Sequence, residues 1–325
     1  MQQPPFVSVI IPTFNRSRML RDTVQSFLDQ SYARDRFEIV IVDNNSTDDT
    51  PGVIGQLARE SGLVRTLVER RRGAHFARNS GARTARGDIL YFTDDDMIAD
   101  TGLLEKIVVA FSSDSRVGAA TGRILPQWQD EPPSWVLEHC RNELLSLNDR
   151  GPATIISDED PGVFSCHQAV LREAFFKAGG FNPDTNAEKF VGDNETGLNI
   201  KIGELGYRFA YVGESTIRHV IPASRMNQRY LNSRFADQGF CDSYTSYRRG
   251  VPGKVRLAGS MAGNAARILP TAVAAAVRFL NKKTVWRLSL ARLFYFRNRV
   301  VYDFRLFSSE EWRRFALRND WLTDD

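Results

Sequence analysis

Two near-continuous apolar runs open the chain, Val7-Ser8-Val9-Ile10-Ile11 closed by Pro12 and Phe37-Glu38-Ile39-Val40-Ile41-Val42 closed by Asp43. Runs this short and this apolar lack the alternation of a half-wet strand, so they predict strands covered on both faces, as in a parallel sheet; Ile89–Phe92 repeats the pattern. Between them the spacing becomes helical: Leu20, Val24, Phe27 and Leu28 share one face, and Val53, Ile54 and Leu57 share another. Strand and helix alternate from residue 7 to residue 112, which predicts an open α/β sheet. Ligands of such sheets bind outside the carboxyl ends of the strands. Asn15, Asp43 and Asp94–Asp96 all follow those ends.

Regularity fades between residues 113 and 222. Short strands are expected at Val117–Leu125 and Tyr207–Val212, with helices near Pro133–Leu145 and Ala169–Ala178, all built onto the same sheet. Beyond Pro222 the pattern is mostly helical. Ile268–Leu280 is apolar but contains Arg278, and it falls well short of the roughly twenty residues a spanning helix needs. Lys282, Lys283, Arg287, Arg292, Arg297 and Arg299 follow, interleaved with Trp286, Phe294, Tyr295 and Phe296. Two readings stand: a helix lying in a membrane interface, or an ordinary amphipathic pair packed on the main unit.

Composition narrows the class. With 325 residues, 42% of them hydrophobic, the chain can bury a full core. The net charge of +4 comes from an Arg- and Lys-rich tail over residues 248–318, whereas residues 88–105 are acidic. That asymmetry points to an anionic partner such as a membrane surface, with no nucleic acid expected. Cys140, Cys166 and Cys241 are far apart and form no CxxC pair, so neither a disulfide framework nor a zinc site is indicated. The N-terminal Met1-Gln2-Gln3-Pro4-Pro5 lacks the features of a signal peptide. A cytoplasmic protein, free or peripheral at the inner face of a membrane, is expected.

The sharpest chemical signal is Ile89-Leu90-Tyr91-Phe92-Thr93-Asp94-Asp95-Asp96, an apolar strand that ends in three carboxylates. Three adjacent carboxylates at the end of a core strand repel one another unless a cation or a set of donors neutralises them. A hard divalent ion, Mn²⁺ or Mg²⁺, does so while filling its shell with water and phosphate, so the cluster suggests a phosphate-bearing ligand. A solvated acidic turn is the plainer alternative.

The order of segments carries more. Val9-Ile10-Ile11-Pro12-Thr13-Phe14-Asn15-Arg16, Val40-Ile41-Val42-Asp43-Asn44-Asn45-Ser46-Thr47-Asp48-Asp49-Thr50, Ala77-Arg78-Asn79-Ser80-Gly81-Ala82 and Asp94-Asp95-Asp96 are followed by Gly179-Gly180-Phe181-Asn182. Then come Gly192-Asp193-Asn194-Glu195-Thr196-Gly197-Leu198, Gly206–Val212 and Arg218-His219-Val220-Ile221-Pro222. Each is weak alone, but the ordered set, over roughly residues 7–222, resembles the inverting glycosyltransferases of family 2. The resemblance implies a GT-A fold, a Rossmann-like, mostly parallel open sheet flanked by helices, with a helical C-terminal extension. It divides the chain into residues 1–222, with a nucleotide-sugar half (1–112) and an acceptor half (113–222), and residues 223–325.

The same resemblance assigns roles. Asp43 would contact the base, with Pro12, Thr13 and Asn15 on the same edge and Arg78 near the phosphates. Asp94 and Asp96 would form a DxD pair, one carboxylate on the ribose and Asp96 on the metal, although Asp95 allows the roles to shift by one. His219 resembles a further metal ligand. Asp193 matches the general base of the family's Glu-Asp motif, with Gly192 where the Glu stands; capping of the following helix is its structural alternative, and Glu195 is the second choice as base. Trp128, Phe164, Ser165, Cys166 and Asn194 would shape the sugar pocket; His75, His139 and His167 carry no such context. The implied activity is transfer from a nucleotide sugar, UDP-sugar first, to a glycan, lipid-linked or small-molecule hydroxyl. The alternatives are a noncatalytic sugar-nucleotide- or glycan-binding subunit and a nucleotidyltransferase; no Gly-rich phosphate loop supports the latter.

Overall fold

The computed structural model describes residues 3–139, 144–183, 192–319 and 321–322. Its first third alternates as the apolar pattern requires: β1 (Val7–Thr13), α1 (Ser17–Leu28), β2 (Phe37–Asp43), α2 (Thr50–Glu60), β3 (Val64–Val68), α3 (Ala74–Thr84) and β4 (Ile89–Thr93). These four strands pair in parallel in the order β3-β2-β1-β4. Their runs are continuous rather than alternating because both faces are covered. In β1, Val9 and Ile11 enter one core with Leu20, Val24 and Phe27 of α1, while Ile10 enters a second core with Ala77 of α3. Glu38 interrupts the β2 run yet is buried. It accepts hydrogen bonds from Ser8 Oγ (2.7 Å), Arg65 Nη1 (2.9 Å) and the Arg86 amide (2.7 Å). Burial pushes its carboxyl up, but these donors outweigh that and hold it below its ordinary value.

The sheet continues through β5 (Met97–Ala99), α4 (Leu103–Ser113), β6 (Val117–Trp128), α5 (Ser134–His139), β7 (Thr154–Ser157), β8 (His167–Leu171), α6 (Arg172–Lys177), α7 (Asn194–Glu204) and β9 (Arg208–Ile221). β8 pairs antiparallel with both β4 and β6, β6 runs parallel to the long β9, and β5 and β7 add to β9 antiparallel. The helix expected over Ala169–Ala178 is corrected here. Its first residues form β8, because Ala169 and Val170 are sandwiched between Leu90–Tyr91 and Ala119–Ala120, and only Arg172–Lys177 is helical. The strand expected at Tyr207–Val212 extends to Ile221 and carries His219 with it. Of the helix expected near Pro133–Leu145, residues 140–143, including Cys140, lie outside the described residues. At Gly122 a Cβ would sit 2.0 Å from the Ser215 carbonyl oxygen, so the β6–β9 contact accepts only glycine there.

After β9 come α8 (Gln228–Gly250), α9 (Lys254–Leu280), α10 (Trp286–Ser308) and α11 (Glu310–Ala316). Tyr244, Tyr302, Leu306 and Trp312 form their own core. Asn182 Nδ2 donates to Tyr244 Oη at 2.9 Å, which ties α8 to the sheet unit. Among the described residues no helix is long and apolar enough to cross a membrane.

Candidate active site

Turn chemistry at two strand ends builds the floor of the site. Asn15 takes a left-handed backbone (φ 53°), its amide donates to Ser46 Oγ (3.0 Å), and its Oδ1 accepts from the Thr47 amide (2.8 Å). Asp43 Oδ1 accepts from the Ser46 amide, three residues on, at 2.9 Å and closes the turn after β2. The exits of β1 and β2 are thereby locked together. Next to them, Asn44 Oδ1 accepts from the Gly73 amide (2.7 Å) and positions the start of α3. Between these ends and that of β4 lies a cavity of about 490 Å³, lined by Pro12, Thr13, Phe14, Arg16, Asn44, Arg72, Gly73, Ala74, Arg78, Asp94, Asp95, Asp96 and Arg225. Its volume falls in the range of about 300–1,000 Å³ common for small-ligand sites. Asn15 and Asp43 support the cavity from behind the lining.

The three carboxylates diverge, each to its own partners. Asp94 accepts from Arg78, whose other nitrogen reaches His75 Nδ1 at 3.1 Å. Asp95 turns inward and accepts from Thr13 Oγ1 at 2.7 Å. Burial, with Asp96 and Asp94 adding to it, pushes the Asp95 carboxyl up to about 7. Asp96 Oδ2 accepts from Arg225 (2.8 Å) and Arg16 (3.2 Å), with His219 Nε2 at 3.8 Å. Burial works against ionisation of Asp96, but the cationic donors around it, Arg225 and Arg16 among them, win and hold its carboxyl well below the usual range.

His219 Nδ1 lies 2.8 Å from the Leu145 carbonyl oxygen, so it carries the proton, and Arg225 donates to Nε2. The free lone pair of Nε2 and the carboxylate of Asp96 therefore converge on the same cation, here a guanidinium. Among the described residues no group of three or more His, Cys, Asp or Glu side chains forms a complete metal cage. A neutral imidazole and one carboxylate 3.8 Å apart nevertheless fit Mn²⁺ or Mg²⁺, which keeps most of its shell for water and phosphate.

Asp193 lies elsewhere. It is buried, its Oδ1 accepts from Asn182 Nδ2 (2.8 Å) and its Oδ2 from Thr245 Oγ1 (3.2 Å). It lines a separate 220 Å³ cavity with Lys201, Thr245 and Arg248, and its side chain makes no capping bond to α7. Its carboxyl is raised by burial, with Asn182 and Arg248 offsetting part of that. Two residues on, after the left-handed turn at Asn194 (φ 52°), Glu195 faces the charged centre instead. Its Oε2 is 4.0 Å from His75 Nε2. Burial raises its carboxyl; Arg78 and Arg234 pull it down and Asp94 pushes it up. Asn194 Oδ1 accepts from His75 Nε2 at 2.9 Å, which completes a run of donors from Arg78 through His75. Burial and Arg78 hold His75 well below its ordinary value, in keeping with a neutral ring.

Trp128 and Phe164 are half-buried against the main core rather than on the cavity wall. Ser165 and Cys166 are buried; burial, with the carboxylates of Asp94, Glu195 and Asp96, pushes the Cys166 thiol far up. Sequence reasoning passed over His75, Arg16, Arg72 and Arg225. The i,i+3 spacing of His75 and Arg78 on one helix face was the available signal for the first; nothing local marks Arg225.

Comparison with known proteins decides the family. The family model "Glycosyl transferase family 2" matches residues 8–178, more than half the chain. The chain belongs to glycosyl transferase family 2. Among its relatives in this family, the glucosyl-dolichyl phosphate glucuronosyltransferase of Haloferax volcanii is 25% identical over 239 residues, 72% of this chain and 75% of that protein. The glycosyltransferase YfnE of Bacillus subtilis is 34% identical over 244 residues, 71% of this chain and 58% of that protein. Among solved structures, the mannosyltransferase PcManGT from Pyrobaculum calidifontis, in complex with GDP-Man and Mn2+, superposes with a TM-score of 0.61 at 22% identity, covering 93% of this chain and 88% of that one. GalNAc-T7 with UDP, GalNAc and Mn2+ gives 0.52 at 20% identity over 67% of this chain and 43% of that one. The fold is GT-A and the chain is a glycosyltransferase.

Proposed function

We propose that this transferase moves a sugar from a nucleoside-diphosphate sugar, a UDP-sugar first, to an acceptor hydroxyl with inversion at the anomeric carbon. The observation that carries the reading is the meeting of the β1, β2 and β4 ends, four arginines and Asp94–Asp96 in one cavity with Glu195 beside it. The donor's base would lie against Phe14 and Asn44, above the turn locked by Asp43 and Asn15, and Asp94 would bind the ribose. Arg72, which stacks on Phe14 at 5.6 Å and has no carboxylate partner among the described residues, would pair with the diphosphate. Asp96 and His219 would hold Mn²⁺ or Mg²⁺, which when bound supplies Lewis-acid neutralisation of the leaving diphosphate.

Glu195 takes the role of base in place of Asp193, whose carboxylate is engaged by Asn182 and Thr245. It removes the acceptor proton as the acceptor oxygen bonds to the anomeric carbon and the bond to the diphosphate breaks. Its raised pKa suits that task, because a base closer to neutrality takes a proton more readily. The relative named for glucosyl-dolichyl phosphate supports a glycan or lipid-linked acceptor. The test is a hydrolysis and transfer screen of UDP-, GDP- and dTDP-sugars with and without Mn²⁺, read as released nucleoside diphosphate. Pyrophosphate as the product, or no turnover of any donor, would refute the reading.

A further inference from the structure

Helix α9 presents an unusual outer face. Val255, Ala258, Ala262, Ala266, Leu269, Val273, Ala276 and Leu280 recur every three or four residues, and all are exposed. Val255 is 88%, Leu269 73% and Leu280 76% accessible. The opposite side, through Leu257, Asn264 and Ala275, is buried, and α9 packs on α10. The helix therefore satisfies its neighbour with one stripe and carries a second apolar stripe that none of the described residues covers, about 40 Å long at 1.5 Å per residue.

Charge selects the occupant. From Ser243 to Tyr302 the chain carries twelve Lys or Arg and no Asp or Glu. Arg256 and Arg267 lie on the flank between the stripe and the buried side, Arg267 reaching the Phe296 ring of α10, and Lys282 and Lys283 follow the end of the stripe. All four are exposed, and none pairs with a carboxylate among the described residues. A second copy seated on the stripe would bring these like charges together. A nucleic acid would meet the charges but leave the apolar stripe in water. A bilayer with anionic headgroups accepts both, the side chains entering the acyl boundary and the cations meeting phosphate.

We infer that α9 docks this enzyme on anionic membrane surfaces, with the Val255–Leu280 stripe inserted and Arg256, Arg267, Lys282 and Lys283 on the headgroups. This surface is independent of the donor chemistry, so either proposal can fail without the other. The experiment is cosedimentation of the full chain with phosphatidylglycerol/phosphatidylcholine vesicles and with phosphatidylcholine alone, beside size-exclusion chromatography and a duplex-DNA binding control. The wild type should bind only the anionic vesicles, and less as salt rises.

A basic residue at such a surface contributes about fivefold in affinity. Arg256→Gln/Arg267→Gln/Lys282→Gln/Lys283→Gln should therefore weaken binding by more than a hundredfold. Leu269→Glu/Val273→Glu/Leu280→Glu should abolish it. Both variants alter exposed positions, and unchanged circular dichroism will confirm their fold. Equal binding by the charge variant, no binding by the wild type, a dimer broken by the stripe variant, or tighter binding to DNA would each overturn the inference.

Discussion

Replacing Arg225 by alanine tests the electrostatic centre of the site most directly. Arg225 donates to two acceptors at once, Asp96 Oδ2 at 2.8 Å and His219 Nε2, and Asp96 is buried. Removing one partner of a buried charge pair costs about 3–5 kcal/mol when nothing replaces it. Here Arg16 stays 3.2 Å from the same oxygen, and its side chain is 37% exposed, so it is partly screened. We therefore take a smaller figure of about 2 kcal/mol, within the range for hydrogen bonds to charged groups. In a chain of this size that lowers Tm by about 3 °C. The same interaction opposes a divalent ion, because the ion and the guanidinium draw on the same lone pairs. Converted at 1.36 kcal/mol per tenfold, its loss should tighten Mn²⁺ binding by about thirtyfold. The assay is a melting series across Mn²⁺ concentration, without donor, for wild type and Arg225→Ala. The variant should start lower and respond at far lower Mn²⁺. A variant that melts lower but responds at the wild-type Mn²⁺ concentration would refute the shared-ligand argument, and so would one that melts like the wild type.

Glu195→Gln should cut kcat by about 10²–10⁴-fold with donor affinity retained, whereas Asp193→Asn should mainly lower Tm; the reverse pattern in steady-state kinetics would return the base to Asp193. Because burial and Asp94 raise Glu195, the base becomes protonated as pH falls, and the acidic limb of kcat/KM should lie above the ordinary glutamate range and disappear in Glu195→Gln. Glu38→Gln should cost about 2 kcal/mol near neutral pH, since it removes the buried charge that accepts from Ser8 and from two arginines that are themselves partly exposed. The folded-state pKa of Glu38 is lowered, so its contribution is present above the unfolded value and is lost as pH falls through the folded one. The gap between wild type and variant in urea melts should therefore close in acid. Gly122→Ala should destabilise by about 3 kcal/mol or more, beyond ordinary overpacking, because the methyl meets a carbonyl that β9 holds in place; a wild-type Tm would contradict the β6–β9 geometry.

The parallel half of the sheet was legible because burial on both faces leaves a direct trace, a run with no polar alternation. Val9, Ile10 and Ile11 could satisfy two cores only in a covered strand. β8 left no such trace. His167-Gln168-Ala169-Val170-Leu171 mixes residues that suit helix and strand alike, and its form is set by neighbours far away in sequence, Leu90 and Ala119 among them. The site divides in the same way. Thr13, Asn15, Asp43 and Asp94–Asp96 come together because strand ends converge by topology, and the sequence marks strand ends. Arg225 and Arg16 join Asp96 from a turn after β9 and from the start of α1, and no local pattern announces a cation that neutralises a carboxylate 129 residues away.

The choice between Asp193 and Glu195 shows how little spacing decides at a helix start. Two residues at the N-terminus of α7, separated by one left-handed Asn194, have carboxylates in different surroundings: Asp193 lines the 220 Å³ cavity, and Glu195 lies 4.0 Å from His75. What separates them is supplied from outside the segment. Thr245 of α8 and Asn182 engage Asp193, while Arg78 of α3 and Arg234 of α8 act on Glu195. The stretch matched by the family model ends at residue 178, before Glu195, His219 and Arg225. The donor-side floor and Asp96 thus lie within the family's common sheet, whereas Glu195 comes from the start of α7, His219 from β9, and Arg234, which acts on Glu195, from the helices after β9. Variation in those helices is accordingly where a change of acceptor would arise, since they alter the surroundings of Glu195 without disturbing the turns that hold Asp43 and Asn15.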